Sequence, residues 1–89
     1  MDTPESTNGK HTVEIYSTPT CHFCHLAKDF FAEHGVEFVD YDVAADLEKR
    51  KSMVEMTGQL GVPVIVIDGV DAFVGFQEEK IRELLQIAA

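Results

Sequence analysis

The succession of β-type and helix-type segments predicts an α/β fold, a mixed four-stranded sheet with helices on both faces. Three observations carry that expectation. Short β-type runs alternate with stretches of helical periodicity, the pattern of strands joined by helical crossovers. Val64-Ile65-Val66-Ile67 is continuously apolar, which suits a strand covered on both sides. Asp68-Gly69 follows it directly, one of the strongest two-residue hairpin signals. With 89 residues, 45% of them hydrophobic, the chain forms one small domain, near the size at which a single core is only just sufficient.

Residues 1–10 are polar, carry Pro, Gly, Ser, Thr and Asn without apolar periodicity, and are expected to be a flexible tail; the folded domain is 11–89. The first strand is expected over Thr12 to Ser17, with Val13 and Ile15 on one face. Pro19 lacks the N–H that a central strand would need, so the chain turns there. The first helix then runs from Cys21 or His22 to His34. Phe23, Leu26, Ala27, Phe30 and Phe31 give it one apolar face, and Gly35 serves as its left-handed stop. Val36 to Asp42 reads as the second strand. Leu47 to Thr57 reads as the second helix, with Asp46 as N-cap, Glu48 in the first turn and Gly58 at the end. Its periodicity is weak, and Leu47, Met53, Val54 and Met56 are its buried candidates. After the apolar strand and its hairpin, Val70 to Val74 forms a fourth strand. A closing helix spans Gln77 to Ala88 with Ile81, Leu84, Leu85 and Ala88 as its stripe. The order is β-α-β-α-β-β-α, and right-handed crossovers would set the early strands parallel.

Composition narrows the function. Sixteen Asp and Glu against seven Lys and Arg give a formal net charge of −9. Phosphate binding needs a concentrated basic surface, so a nucleic-acid partner is not expected. No apolar run approaches bilayer-spanning length, and the N-terminus lacks the basic and apolar segments of a secretory signal. A cytoplasmic protein without a membrane partner is the expectation. In that compartment thiols are kept reduced, and a cysteine pair is more naturally catalytic or metal-binding than structural.

The only two cysteines are Cys21 and Cys24, spaced C-x-x-C at the junction of the first strand and first helix. This is the position of a redox site. A disulfide closing about 4 residues stabilises a fold by only roughly 2 kcal/mol, against more than 4 kcal/mol for one spanning most of a domain. A structural staple is therefore poorly served by this spacing. The attacking species is a thiolate, and a free cysteine is only about 3% ionised at pH 7. A helix N-terminus favours the anion. The gain in attack is small because nucleophilicity falls along with basicity; the larger benefit is that Cys21 leaves more readily and the reduced state is stabilised. Cys24, one turn on, is expected to be more buried and less acidic.

Taken together, Tyr16-Ser17-Thr18-Pro19-Thr20-Cys21, Gly61-Val62-Pro63-Val64, the Asp68-Gly69 hairpin and Gly75-Phe76 resemble the glutaredoxins, which have the thioredoxin-like fold. The likeness covers Val13 to Leu85. It implies an electron-donating thiol–disulfide oxidoreductase that reduces protein or glutathione mixed disulfides. In that family the first cysteine attacks, the second resolves, and a cis proline faces the disulfide; the matching residues are Cys21, Cys24 and Pro63. Substrate contact falls to Pro19, Thr20, Val62, Pro63 and Phe76. Typical glutaredoxins carry a lysine shortly before the first cysteine and a Gly-Gly pair followed by acidic residues before the last helix, and both help to hold glutathione. Thr18 and Gly75-Phe76-Gln77-Glu78-Glu79 stand there instead. The chain thereby comes nearer to the glutaredoxin-like electron donors of ribonucleotide reductase, which draw on thioredoxin reductase, although those usually have a basic residue where Gln77 stands. No bound cofactor is expected, the partners are disulfide-containing proteins, and the reductant is either glutathione or thioredoxin reductase. A monomer is expected.

Other residues admit two readings. Beside Cys21, His22 tunes the thiolate when charged, or it is an exposed helix residue; His25 reads as exposed. Phe23 is expected to pack, and Phe76 to wall a substrate groove. Asp40, Asp42 and Asp46 read as strand-end and capping residues. The rival function is a metal-binding thioredoxin-fold module, either zinc on Cys21, His22, Cys24 and His25 or an iron–sulfur cluster shared between two chains with glutathione. Four ligands within five residues of one helix cannot readily surround an ion tetrahedrally, and structural zinc normally recruits a distant second pair. A non-catalytic thioredoxin-fold module is the remaining alternative.

Overall fold

A computed structural model describes residues 11–87. The tail assigned to residues 1–10, and Ala88 of the last helix, lie outside the described residues. Seven elements follow one another in the expected order: β1 (Val13–Ser17), α1 (His22–Glu33), β2 (Val39–Asp42), α2 (Leu47–Thr57), β3 (Val64–Ile67), β4 (Asp71–Val74) and α3 (Glu78–Leu85). The strands form one sheet in the order β2-β1-β3-β4. β1 and β2 are parallel, whereas β3 is antiparallel to both β1 and β4. Parallel pairing is thus confined to the first crossover, and β3 returns on the far side of β1.

Each face of the sheet has its own apolar layer. Val13, Ile15, Ile65, Ile67 and Phe73 meet Ala27, Phe30 and Phe31 of α1 and Ile81 and Leu85 of α3. On the other side Tyr16, Val64 and Val66 meet Val43, just after β2, and Met53 of α2. The alternation of side chains along a strand produces this division, and β3, buried at all four positions, serves both layers.

Local chemistry sets most boundaries. Asp46 caps α2 by accepting the Lys49 N–H at 3.1 Å, and Gly58 at φ +73° ends it with an N–H to the Val54 carbonyl at 2.7 Å. The hairpin holds Asp68 and Gly69 both left-handed, at φ +57° and +69°, the geometry that suits a right-twisted strand pair. The Asp68 carboxylate also accepts the Thr12 N–H and the His11 Nδ1–H, each at 2.9 Å, and these donors hold its pKa below the usual carboxylate value.

Several expectations are corrected. β2 starts at Val39 and not Val36, because the Val36 N–H donates to the Phe31 carbonyl at 2.8 Å and belongs to the left-handed turn at Gly35 that closes α1. β4 starts one residue later than expected, at Asp71. On α1 the buried stripe is Cys24, Ala27, Phe30 and Phe31; Phe23 is 58% exposed and Leu26 37%. The apolar face is rotated toward Cys24, which fills a core position. On α2, Met53 is buried while Leu47 and Met56 are exposed. α3 is shorter than expected at both ends, with Gln77 as its N-cap residue and Gln86 left-handed after Leu85.

The topology gathers four segments at one end of the sheet. β1 ends at Ser17, paired with Asp42, the last residue of β2. β3 begins at Val64, paired with Tyr16 on one side and Val74, the last residue of β4, on the other. The Gly75 N–H donates to the Pro63 carbonyl at 2.7 Å and the Val43 N–H to the Ser17 carbonyl at 2.9 Å. Residues 18–21, 43, 62–63 and 75–76 therefore share this edge.

Candidate active site

Thr18 to Cys21 form the turn that carries the chain from β1 into α1, closed by the Cys21 N–H on the Thr18 carbonyl at 3.3 Å. Cys21 is the N-cap residue of α1, with extended backbone at φ −84°, ψ 116°, and its sulfur accepts the Cys24 N–H at 3.1 Å. Capping positions normally take an oxygen acceptor; here sulfur does the work, and the first turn of α1 contains no carboxylate.

Cys24 lies one turn on and is fully buried. Both cysteines carry free thiols. Burial pushes the Cys24 thiol up to about 12 from 9.0, and its hydrogen bond to Cys21 adds to the rise, while the Thr18 backbone and the Lys28 charge pull the other way. The expected asymmetry, an outer cysteine and a buried inner one that holds its proton, is present.

Val62–Pro63 is a cis peptide bond, as the resemblance implies. Pro63 is buried and Val62 half-buried, at the sheet edge where β1 delivers Cys21. Pro19 and Thr20 are exposed in the turn. Phe76 leaves the same edge and packs against Phe30 with ring centroids 5.6 Å apart, walling a groove between α1 and α3. His22 is exposed, its ring set edge-on to Phe23 at 5.3 Å. Phe23, expected to pack, is instead the most exposed apolar side chain of α1, because the core-facing stripe passes through Cys24.

Two features were not read from the sequence. His25 donates from Nε2 to the Pro19 carbonyl at 2.8 Å and so ties the first helical turn to the loop that presents Cys21. No sequence pattern announces that contact. Behind the loop, Ser17 is buried and donates from Oγ to Asp40 Oδ1 at 2.6 Å, while Lys28 Nζ holds Asp40 Oδ2 at 2.9 Å. Asp40 is thus more than a strand-end residue. Asp42 accepts the Ala44 N–H in a local turn. Among the described residues, no group of three or more His, Cys, Asp or Glu is arranged to hold an ion, and no helix is long and apolar enough to cross a membrane.

The sequence model of the glutaredoxin family matches residues 13–72. A glutaredoxin-like 8.6 kDa protein of the rubredoxin operon of Clostridium pasteurianum is 42% identical over 74 residues, covering 83% of this chain and 97% of its own. Among solved structures, the glutaredoxin Grx-1 of Archaeoglobus fulgidus superimposes with a TM-score of 0.76 at 26% identity, covering 90% of this chain and 91% of its own. The glutaredoxin-like NrdH-redoxin of Escherichia coli gives a TM-score of 0.72 at 25% identity, covering 82% and 93%.

Proposed function

Because the chain belongs to the glutaredoxin family, we propose that it is a thiol–disulfide oxidoreductase that reduces protein or glutathione mixed disulfides through its Cys21/Cys24 dithiol. The single observation that carries this reading is the Cys21 sulfur capping the N-terminus of α1, where it accepts the Cys24 N–H at 3.1 Å, with the buried Cys24 thiol one turn behind it. In the first step the Cys21 thiolate attacks a substrate sulfur, an S–S bond to Cys21 forms, and the other substrate sulfur leaves as thiolate. In the second step Cys24 gives up its proton to solvent or to the departing thiolate and attacks Cys21. The Cys21–Cys24 disulfide forms and the substrate leaves as thiol. Two electrons pass from the dithiol to the substrate disulfide, and the site then awaits a reductant. Burial of Cys24 supports its resolving role: its thiol is kept neutral and out of competition for substrate until the mixed disulfide brings an electrophilic sulfur to it. Pro19, Thr20, Val62, Pro63 and Phe76 are the substrate contacts in this reading, and His22, next to Cys21 in the chain and exposed, is its candidate tuning residue.

The reductant is glutathione or thioredoxin reductase, and Thr18 together with the absence of a Gly-Gly pair at Gly75-Phe76 favours the second. The test compares turnover on a protein disulfide supplied with glutathione and glutathione reductase against NADPH and thioredoxin reductase. Faster turnover with thioredoxin reductase is expected. Cys21→Ser should abolish all exchange, and Cys24→Ser should accumulate a mixed disulfide visible by intact-mass measurement. Exchange that survives Cys21→Ser would overturn the assignment.

A further inference from the structure

The core does not use two large apolar side chains of the active-site helix. Phe23 and Leu26 stand 58% and 37% exposed, and with Phe30 they lie at i, i+3 and i+7, on one side of α1. This side leads from the Cys21 turn into a groove of about 310 Å³ between α1 and α3, lined by Leu26, Phe30 and Phe76. Carboxylates dominate its rim: Asp29 and Glu33 on α1 and Glu78 on α3. The opposing charge is Arg82, which is held by Glu78 at 2.9 Å and stacked over the Phe30 ring at 5.1 Å; His34 completes the wall. With Glu78 paired to Arg82, Asp29 and Glu33 leave the rim net acidic, on a chain of net charge −9.

We propose that this track, Phe23–Leu26 opening into the acidic-rimmed groove, is the docking surface for the polypeptide that carries the substrate disulfide, and that it selects a segment with an apolar side chain flanked by lysine or arginine. The inference rests on the oxidoreductase reading and names its substrate class. Phe76 joins the groove to the sheet edge that holds Cys21 and Pro63, so a segment whose cysteine is attacked by Cys21 can run directly into it. An apolar side chain covers Phe23 and Leu26, and the rim carboxylates repel acidic sequences while steering basic ones. Specificity of this kind acts on the first step, in which the Cys21–substrate bond forms and the second substrate sulfur leaves.

The test uses the reduced full chain and three disulfides: a cysteine peptide bearing Leu between lysines, the same peptide with glutamates for lysines, and neutral hydroxyethyl disulfide. Both peptides are presented as mixed disulfides with a chromophoric thiol whose release reports the attack. At low salt the lysine peptide should react roughly tenfold faster than the glutamate peptide, as expected of electrostatic steering. That ratio should collapse toward one near 1 M salt, where the screening length is about 3 Å, and likewise in Asp29→Lys/Glu33→Lys. These two substitutions are on the exposed surface toward the C-terminal end of α1, where positive charge also suits the helix dipole. Phe23→Ser/Leu26→Ser should slow both peptides and leave the neutral disulfide unchanged. Equal rates for the two peptides, or a preference that survives the charge reversal, would overturn the docking surface. Failure of wild type on the neutral disulfide would overturn the oxidoreductase reading itself, and this inference with it.

Discussion

At the scale of single residues, the two cysteines are chemically unlike because one caps the helix and the other fills the core. Spacing and position foretold this much. Cys24 shares the buried layer with Ala27 and Phe31, and burial is the main reason its thiol rises to about 12. The rise has a consequence for stability. The folded state favours the protonated thiol, so its contribution is complete below about 9, where the unfolded thiol also keeps its proton. Between about 9 and 12 the unfolded thiol ionises and the folded one does not, and stability falls by up to about 1.4 kcal/mol per pH unit. Denaturant unfolding of the reduced protein should accordingly lose stability through this window more steeply than Cys24→Ala, because Tyr16 and Tyr41, whose pKa values are also raised, act in both proteins. Parallel pH profiles would contradict the assignment. His25 marks the limit of reading single residues from sequence: its bond to the Pro19 carbonyl depends on how a turn folds back over the helix, and periodicity carries no information about that.

At the scale of elements, legibility followed local chemistry. α2 was bounded correctly, although its hydrophobic pattern is weak, because Asp46 and Gly58 supply the cap and the left-handed stop that its ends require. The hairpin was legible for the same reason. β2 was misjudged at its start because Val36-Glu37-Phe38 has strand-like composition, whereas the Val36 N–H is consumed by the closing turn of α1. The apolar pattern of α1 places Ala27, Phe30 and Phe31 correctly, but the remaining member of that stripe is Cys24 and not Phe23 or Leu26, because a cysteine that stands out for its chemistry is also a core side chain. Consequently α2 rests on caps and on Met53, its one buried residue. Met53→Ala is expected to cost about 2–5 kcal/mol, as large-to-small core substitutions do, and Asp46→Ala about 1 kcal/mol through the lost cap. Hydrogen exchange should report Asp46→Ala as faster opening of α2 with β1 and β3 unchanged. Uniform loss of protection across the sheet would mean that α2 does not open independently.

At the scale of the whole molecule, two layers share β3, and the loops at the end of the sheet where β1 finishes and β3 begins carry Cys21, Pro63 and Phe76. The four-stranded mixed sheet and the helices on both faces were legible, since the apolar run of β3 and the Asp68-Gly69 turn leave few other arrangements. The direction of β3 was not: a crossover helix is compatible with parallel or antiparallel return, and antiparallel pairing with β1 is settled by packing against both neighbours. The placement of the C-x-x-C pair was legible because a strand–helix junction is a local feature. The Ser17–Asp40–Lys28 chain was not, because it spans β1, β2 and α1. All of this converges on one claim, that Cys21 and Cys24 interconvert between dithiol and disulfide. Equilibration of the purified protein with glutathione or dithiothreitol redox buffers, with thiols counted after acid quench, measures it directly. A reversible two-electron couple between about −200 and −270 mV is predicted. Two thiols that stay reduced under every buffer, or a one-electron transition, would contradict the account.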